Sequence, residues 1–378
     1  MITCLIGTRA QLIKMAPILR ELEARKCTYN LVLTGQHNET MDELLAQFEV
    51  SATPIRLREG IDITGIGQMA IWFVRTLGLL ISRRAELVTN GKNIFVVHGD
   101  TFSTLLGAVA GRLFGVQVAH VESGLRSFNI FHPFPEELTR TAVFRLAHIA
   151  YCPNAWAEEN LRNYRLDKIN CGQNTLLDAV RFALAQPPHE QSVCAHEQYG
   201  VVSIHRFENI FNRTQFCKIL DLLEIMALNR PLIFVLHPAT RKKLQHFKLM
   251  DRIERNPRFV PRNRMGYIPF LQLLTKASFV VTDGGSNQEE LSYLGIPTLL
   301  MRHATERTEG LDANVIVSNF DEKKVRDFLH NLRFSPALDV ALHDAEPSRM
   351  IVDHLISNST PFANPHVNAE RDQRGCTH

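Results

Sequence analysis

The sequence predicts two doubly wound α/β units facing one another across a cleft, and three observations carry that expectation. Short apolar or β-branched runs alternate with longer amphipathic stretches from the first residues to about position 300. The intervening stretches are long enough for helical crossovers, so successive strands are expected to pair in parallel. The rhythm then restarts after "LAQPPHEQSVCAHEQ" (184–198), which has no apolar period, and 378 residues suffice for two cores of ordinary size.

In the first half, "ITCLIG" reads as a strand and "AQLIKMAPILRELEAR" as a helix with Leu12, Ile13, Ala16, Leu19 and Leu22 on one face. "YNLVLTG", "NIFVVHGD", "VQVAHVE" and "IAYCP" follow as strands, with "TFSTLLGAVAGRLFG" and "ELTRTAVFRLAH" as helices between the later ones. The second half offers "YGVVSIH", "PLIFVLH", "RFVPR", "SFVVTDGG" and "PTLLMR" as strands, and "PSRMIVDHLIS" as a closing helix before a polar tail.

Composition narrows the function classes. The hydrophobic share is 45%, the charged share 21% and the formal charge only +3, which gives no reason to expect nucleic acid or an anionic membrane as partner. Seven scattered cysteines, never in a CxxC pair, argue against a disulfide framework or a zinc site and suit a reducing cytoplasm. No apolar run reaches the ~18–20 residues of a membrane span, and the start lacks the basic leader and apolar length of a signal peptide.

Ligands of open α/β sheets sit beyond the carboxyl ends of the strands, and here those ends are polar. They carry Gly7-Thr8-Arg9, Gln36-His37, Asp100, Glu122, His205-Arg206, His237 and Gly284-Gly285-Ser286. In "TDGGSNQEELSYLG" the glycines allow a tight turn, Ser286-Asn287 are expected to cap the next helix, and its exposed N–H groups suit a phosphate. Glu290 then lies one turn in, within reach of ribose. No GxGxxG follows the first strand, which argues against NAD. In "HVESGLRSFNIFHPFPEELTR", Glu122 follows an apolar run, and the Glu136–Glu137 pair opens a helix behind two prolines. With Asp100 these carboxylates would raise one another's pKa if they converged, keeping an acid protonated for proton transfer. Arg302, Glu306, Arg307 and Glu309 in "MRHATERTEG" form a further charged loop.

Ten ordered motifs, "GTRAQLIKMAPILREL", "TGQH", "HGDTFSTLLGA", "HVESGLRS", "PFPEELTR", "GQNTLLDA", "HRFEN", "TDGGSNQEE", "LGIP" and "TERTEG", resemble those of bacterial and archaeal UDP-N-acetylglucosamine 2-epimerases. The resemblance implies two Rossmann-like domains in the GT-B arrangement. Residues 1–168, joined by the C-terminal helix and tail 348–378, would carry the catalytic carboxylates, and residues 169–347 would bind UDP. It implies epimerisation at C2 of a UDP-N-acetylhexosamine through elimination of UDP to a 2-acetamidoglucal and re-addition. Asp100, Glu122, Glu136 and His205 match the catalytic positions. Arg9, Lys14, Phe270, Gly285, Ser286, Glu290 and Arg307 match substrate-binding ones, with Phe270 against uracil. Some members hold a second UDP-sugar, for which Gln36, His37, Arg206 and His237 are the matching candidates. Neither a metal nor another cofactor is implied; a cytoplasmic homodimer is. Departures are Ala10-Gln11 for the usual Pro-Glu, Gly284-Gly285-Ser286 for Ser-Gly-Gly, and Phe207 for an arginine. A modified UDP-sugar (2,3-diacetamido or uronate), a hydrolysing 2-epimerase and a GT-B glycosyltransferase are the competing functions.

Overall fold

A computed structural model of the chain describes residues 1–36, 40–58, 66–129, 135–192, 198–305, 307–332 and 345–359. Its first sheet holds β1 (Ile2–Ile6), β2 (Tyr29–Leu33), β3 (Ile55–Arg56), β4 (Ile94–His98), β5 (Gln117–Val121), β6 (Ile149–Cys152) and β7 (Asp167–Asn170) in the order β3-β2-β1-β4-β5-β6-β7. The second holds β8 (Gly200–Ser203), β9 (Leu232–Leu236), β10 (Phe259–Asn263), β11 (Phe279–Thr282), β12 (Thr298–Leu300) and β13 (Val315–Val317), ordered β10-β9-β8-β11-β12-β13. Every strand pairing among the described residues is parallel. The central strands are apolar on both faces because helices cover both: β1, β4 and β9 are buried throughout.

Strand order reverses between β1 and β4 in one sheet and between β8 and β11 in the other. Loops diverge at such a switch point and leave a crevice at the strand ends. The chain leaving β1 approaches the helix Phe102–Phe114 so closely that a Cβ on Gly7 would lie 1.8 Å from Ser103 Oγ. Only glycine fits there.

The two halves share one hydrophobic cluster, which runs from Ile2 and Leu12 through Leu176 and Val180 to Val201 and Leu271. Phe48 stacks on Phe182 and on Tyr267, ring centroids 5.4 and 5.5 Å away, so aromatic packing reaches across as well. The closing helix Pro347–Ser359 returns to the first half, where Asp353 pairs with Arg25 and the Tyr151 hydroxyl meets His354 Nδ1 at 2.9 Å. The division expected at 168/169 falls inside β7. Part of the expected linker is tied down: Gln272 accepts from His189 N–H at 2.8 Å and donates to the Pro187 carbonyl at 2.9 Å. No helix among the described residues is long and apolar enough to cross a membrane.

Candidate active site

The crevice contains two joined hollows. One, of about 390 Å³, is lined by Asp100, Glu122 and Glu136 from the first sheet's side, and by His205, Arg206, Gly285, Ser286 and Arg307 from the second. The other, of about 700 Å³, carries Arg9, Gln36, His237, Phe270 and Glu290. Thr8, Ala10, Lys14, Thr101, His205 and Gly284–Ser286 line both. The polar strand ends therefore converge on one cleft, apart from His37, which lies outside the described residues, as does Glu306 of the charged loop.

Two of the three carboxylates lining the first wall, Glu122 and Asp100, are paired with cations. Glu122, at the end of β5, meets Lys14 Nζ at 2.5 Å, Asn174 Nδ2 at 2.8 Å, His98 Nε2 at 3.5 Å and Arg307 Nη2 at 3.7 Å. Its φ of 59° is uncommon for a residue with a Cβ. Burial raises the Glu122 carboxyl, but Lys14, then His98 and Arg307, outweigh it and hold the group well below the usual carboxylate range. The raising expected of converging carboxylates is overturned at Glu122, where the nearby cations outweigh burial. Asp100 pairs with Arg140, which Glu137, fully buried, holds at 2.8 Å. Glu137 also holds Arg126 Nε at 2.5 Å and accepts from Ser127 N–H at 3.0 Å. Glu136 opens the helix Glu136–Leu146, and its buried Oε2 has no hydrogen-bond partner among the described residues.

Two buried histidines stand behind this wall, and His120 ties its loops. Burial pushes His120 down to about 4, so the ring is neutral. Its Nε2–H can therefore donate to the Gly99 carbonyl at 2.7 Å while Nδ1 accepts from Ser123 Oγ at 2.9 Å. Burial likewise pushes His98 down to about 4 against the pull of Glu122. Thr101, whose hydroxyl accepts from Thr104 N–H, caps the helix Phe102–Phe114. Thr101, not the adjacent Asp100, is therefore the cap.

The second wall is built from backbone. The helix Gly285–Leu294 begins after Gly284, an extended N-cap that supplies no side-chain bond. Ser286 and Asn287 lie within its first turn, so they do not cap it as the sequence suggested. The Asn287 amide instead accepts from Thr282 Oγ1 at 3.2 Å and donates to Glu290 Oε2 at 3.0 Å. The first N–H groups of the helix have no intrahelical acceptor and carry the positive end of its dipole toward the cleft, an arrangement suited to an anion. A Cβ on Gly284 would lie 2.8 Å from Asn287 Oδ1 and 3.1 Å from His205 Cε1. Asp283, fully buried, fixes the neighbouring turn by accepting from the backbone N–H groups of His205 (3.0 Å) and Arg206 (2.9 Å). His205 stacks against His237 at 5.3 Å between centroids.

A family model described as UDP-N-acetylglucosamine 2-epimerase matches residues 20–343. The UDP-N-acetylglucosamine 2-epimerase of Methanocaldococcus jannaschii is 30% identical over 339 residues, 86% of this chain and 90% of that protein. The chain belongs to the UDP-N-acetylglucosamine 2-epimerase family. The Bacillus subtilis UDP-N-acetylglucosamine 2-epimerase is likewise 30% identical, over 372 residues and 93% of each chain. A solved structure of the Methanocaldococcus jannaschii UDP-GlcNAc 2-epimerase in complex with UDP-GlcNAc and UDP superposes with TM-score 0.74 at 26% identity, covering 94% of this chain and 99% of that one. The protein is thus an isomerase-family enzyme with two Rossmann-like sheets in the GT-B arrangement.

Two departures from the usual epimerase motifs have a physical reading. Gln11 completes a capping box with Thr8, its Oε1 accepting from Thr8 N–H at 3.1 Å. Its NH₂ donates to the His98 carbonyl at 2.6 Å and to Thr104 Oγ1 at 2.9 Å, bonds to β4 and to the helix Phe102–Phe114 that an ionised glutamate could not donate. Phe207 is 69% exposed and stacks on Phe211 at 4.0 Å, with Lys243 over that ring at 3.8 Å; it lines neither hollow. Of the second-site candidates, Gln36 accepts from Ser103 Oγ at 2.7 Å and Arg206 pairs with Glu208 at 3.1 Å. Arg206 faces the smaller hollow, while Gln36 and His237 face the larger.

Reading the sequence missed His98, Arg126, Arg140, Asn174 and Glu289 as parts of the site. All stand inside quoted motifs ("HGDT", "GLRS", "EELTR", "GQNT", "QEE"). The signal was present, but nothing in it said which carboxylate each would meet.

Proposed function

We propose that this enzyme converts UDP-N-acetylglucosamine to UDP-N-acetylmannosamine at C2 and releases no free sugar. The observation that carries the reading is one cavity walled jointly by Asp100, Glu122 and Glu136 on one side and by His205 and the Gly285–Ser286 helix start on the other. The binding of UDP-GlcNAc and UDP by the solved relative supports a UDP-sugar as ligand.

C2 of the sugar has no adjoining carbonyl, so its proton is not acidic, and direct abstraction would need a base far stronger than a carboxylate. Elimination avoids this. As the C1–oxygen bond breaks, the electron pair of C2–H forms the C1=C2 double bond, and the proton passes to a carboxylate. The leaving oxygen takes its charge to the diphosphate. Arg9, His205 and the free N–H groups of Gly285 and Ser286 stabilise that charge. Re-addition returns a proton to the other face of C2 and the UDP oxygen to C1. Protons transfer through Asp100, Glu122 and Glu136; Glu136, with an unpartnered oxygen, has a lone pair available. Lys14 and Arg307 hold Glu122, Glu290 takes the ribose hydroxyls, and Phe270 lies against uracil. In this reading residues 1–168 with the closing helix supply the carboxylates, and residues 169–347 hold UDP.

The test is incubation with UDP-N-acetylglucosamine in heavy water, without acceptor, followed by proton NMR. The expected product is the manno nucleotide sugar with deuterium at C2. Free N-acetylmannosamine with UDP overturns the non-hydrolysing assignment, and no exchange at C2 overturns epimerisation.

A further inference from the structure

Four ionised side chains, two from each half of the molecule, form a closed ring at the floor of the smaller hollow. Lys14, on the helix Arg9–Ala24, and Glu122, after β5, come from the first half. Glu289, on the helix Gly285–Leu294, and Arg307, in the loop between β12 and β13, come from the second. Within each half the pair is close: Lys14 Nζ–Glu122 Oε1 at 2.5 Å and Arg307 Nη1–Glu289 Oε2 at 2.5 Å. Across the cleft the ring is closed by Lys14 Nζ–Glu289 Oε2 at 3.3 Å and Arg307 Nη2–Glu122 Oε1 at 3.7 Å. Signs alternate round the ring, and its formal charges cancel. Glu289 is 1% exposed, and its second oxygen accepts from the Tyr293 hydroxyl at 3.0 Å. Its carboxylate lines neither hollow, so substrate is not its partner.

A buried anion that touches two cations has one consequence that geometry fixes. Both cations are shared, and neither can be given wholly to Glu122. We propose that Glu289 is a positioning residue that divides Lys14 and Arg307 between the two halves of the enzyme, leaving Glu122 a proton carrier rather than a permanent counter-ion. This rests on the reading of Glu122 as one of the proton-transferring carboxylates. The other groups facing Glu122 are the neutral His98 ring and the Asn174 amide; His120 lies in β5 just before it and Asp100 on the loop after β4. Around Glu289 stand Tyr293, Glu290 and Glu309 besides the two cations. None of these supplies a negative charge to Lys14 and Arg307 at the distances Glu289 does.

The experiment compares Glu289→Gln and Glu289→Asp with the parent in steady-state epimerisation across pH, with Glu122→Gln as reference. With Gln the ring carries one excess positive charge beside Glu122. The expected result is a fall in kcat of about tenfold or more, a KM that stays level or drops, and an acidic limb of the kcat profile moved to lower pH. Asp, which keeps the charge, restores the parent's pH profile. A kcat and pH profile equal to the parent's in Glu289→Gln overturn the proposal, and so does a raised KM with an unmoved profile, which would mark Glu289 as mere support for the binding wall. If Glu289→Gln does not fold, Tyr293→Phe decides: it frees one oxygen of the still-charged Glu289, draws the cations from Glu122 and should move the acidic limb to higher pH, an unchanged profile overturning the idea. Full activity in Glu122→Gln would instead remove the reading on which the inference stands.

Discussion

The two walls of the cleft are made of different material. On the carboxylate wall, charges belong to side chains, and all but Glu136 are countered by a named partner: Lys14 for Glu122, Arg140 for Asp100, Arg126 and Arg140 for Glu137. On the facing wall, the arrangement suited to an anion is backbone at the start of the helix Gly285–Leu294, and Asp283 beside it fixes the neighbouring N–H groups of His205 and Arg206. Proton transfer needs a side chain that can change its charge state, and such a group must be held by others that do not. Holding a diphosphate needs only fixed dipoles, which the fold supplies without any titration. Losses of the carboxylates on the first wall should therefore appear in kcat or stability, and distortion of the backbone turn on the second chiefly in KM.

The largest expected effect breaks that contrast if it fails. Glu122→Gln keeps the shape but removes the base, and kcat should fall about 10³-fold with KM within a few-fold, read by discontinuous NMR or a coupled assay. Next, Glu137→Gln leaves Arg126 and Arg140 facing a neutral amide in a fully buried position. It should cost about 3 kcal/mol of stability in urea unfolding, and the activity that remains should be low because Arg140 no longer holds Asp100 in place. On the opposite wall, Gly284→Ala puts a methyl against Asn287 and His205. KM should rise about tenfold, a loss of about 1.4 kcal/mol in binding, with kcat less affected.

Glu290 sharpens the comparison, as the titratable group within the backbone-built wall. Burial pushes its carboxyl up to about 7, with Glu289 adding to the rise against the Asn287 bond. The folded-state value lies above the unfolded one, so the stability this group contributes is complete below about 4.5 and is lost as pH rises through about 7. Thermal unfolding of the unliganded enzyme should therefore lose stability over that window relative to Glu290→Gln. If Glu290 takes the ribose as proposed, UDP should bind more tightly as pH rises through the same range, and the Gln variant should flatten that dependence in calorimetry. The smallest effect is expected at Phe207→Arg: an exposed ring that lines neither hollow should change stability by less than about 0.5 kcal/mol.

Strands were legible where both faces are buried, as in β1, β4, β5, β8, β9 and β11, because continuous apolar runs have few other uses. The short edges β3, β7 and β13 escaped notice: β7 is "DKIN", only half-buried, and carries no apolar pattern to read. Within the site, Asp100, Glu122, Glu136, His205, Gly285 and Arg307 could be named from motifs, and they do line one cavity. The electrostatics could not be read the same way. From spacing alone, three carboxylates in one cleft should raise one another, yet Glu122 is held low because Lys14, 108 positions earlier, reaches it.

The order of residues by itself settled the α/β class, the carboxyl-end location of the polar groups and the family, since each depends on local pattern or on motifs preserved in sequence. Only the folded chain decided which cation meets which anion, that Asn287 serves Glu290 instead of capping a helix, and that Lys14 and Glu289, far apart in the chain, share one ring. The physical reason is range. Periodicity and turn chemistry act over a few residues, whereas charge pairing in a buried cleft is set by distances of ångströms between segments that the chain order leaves far apart.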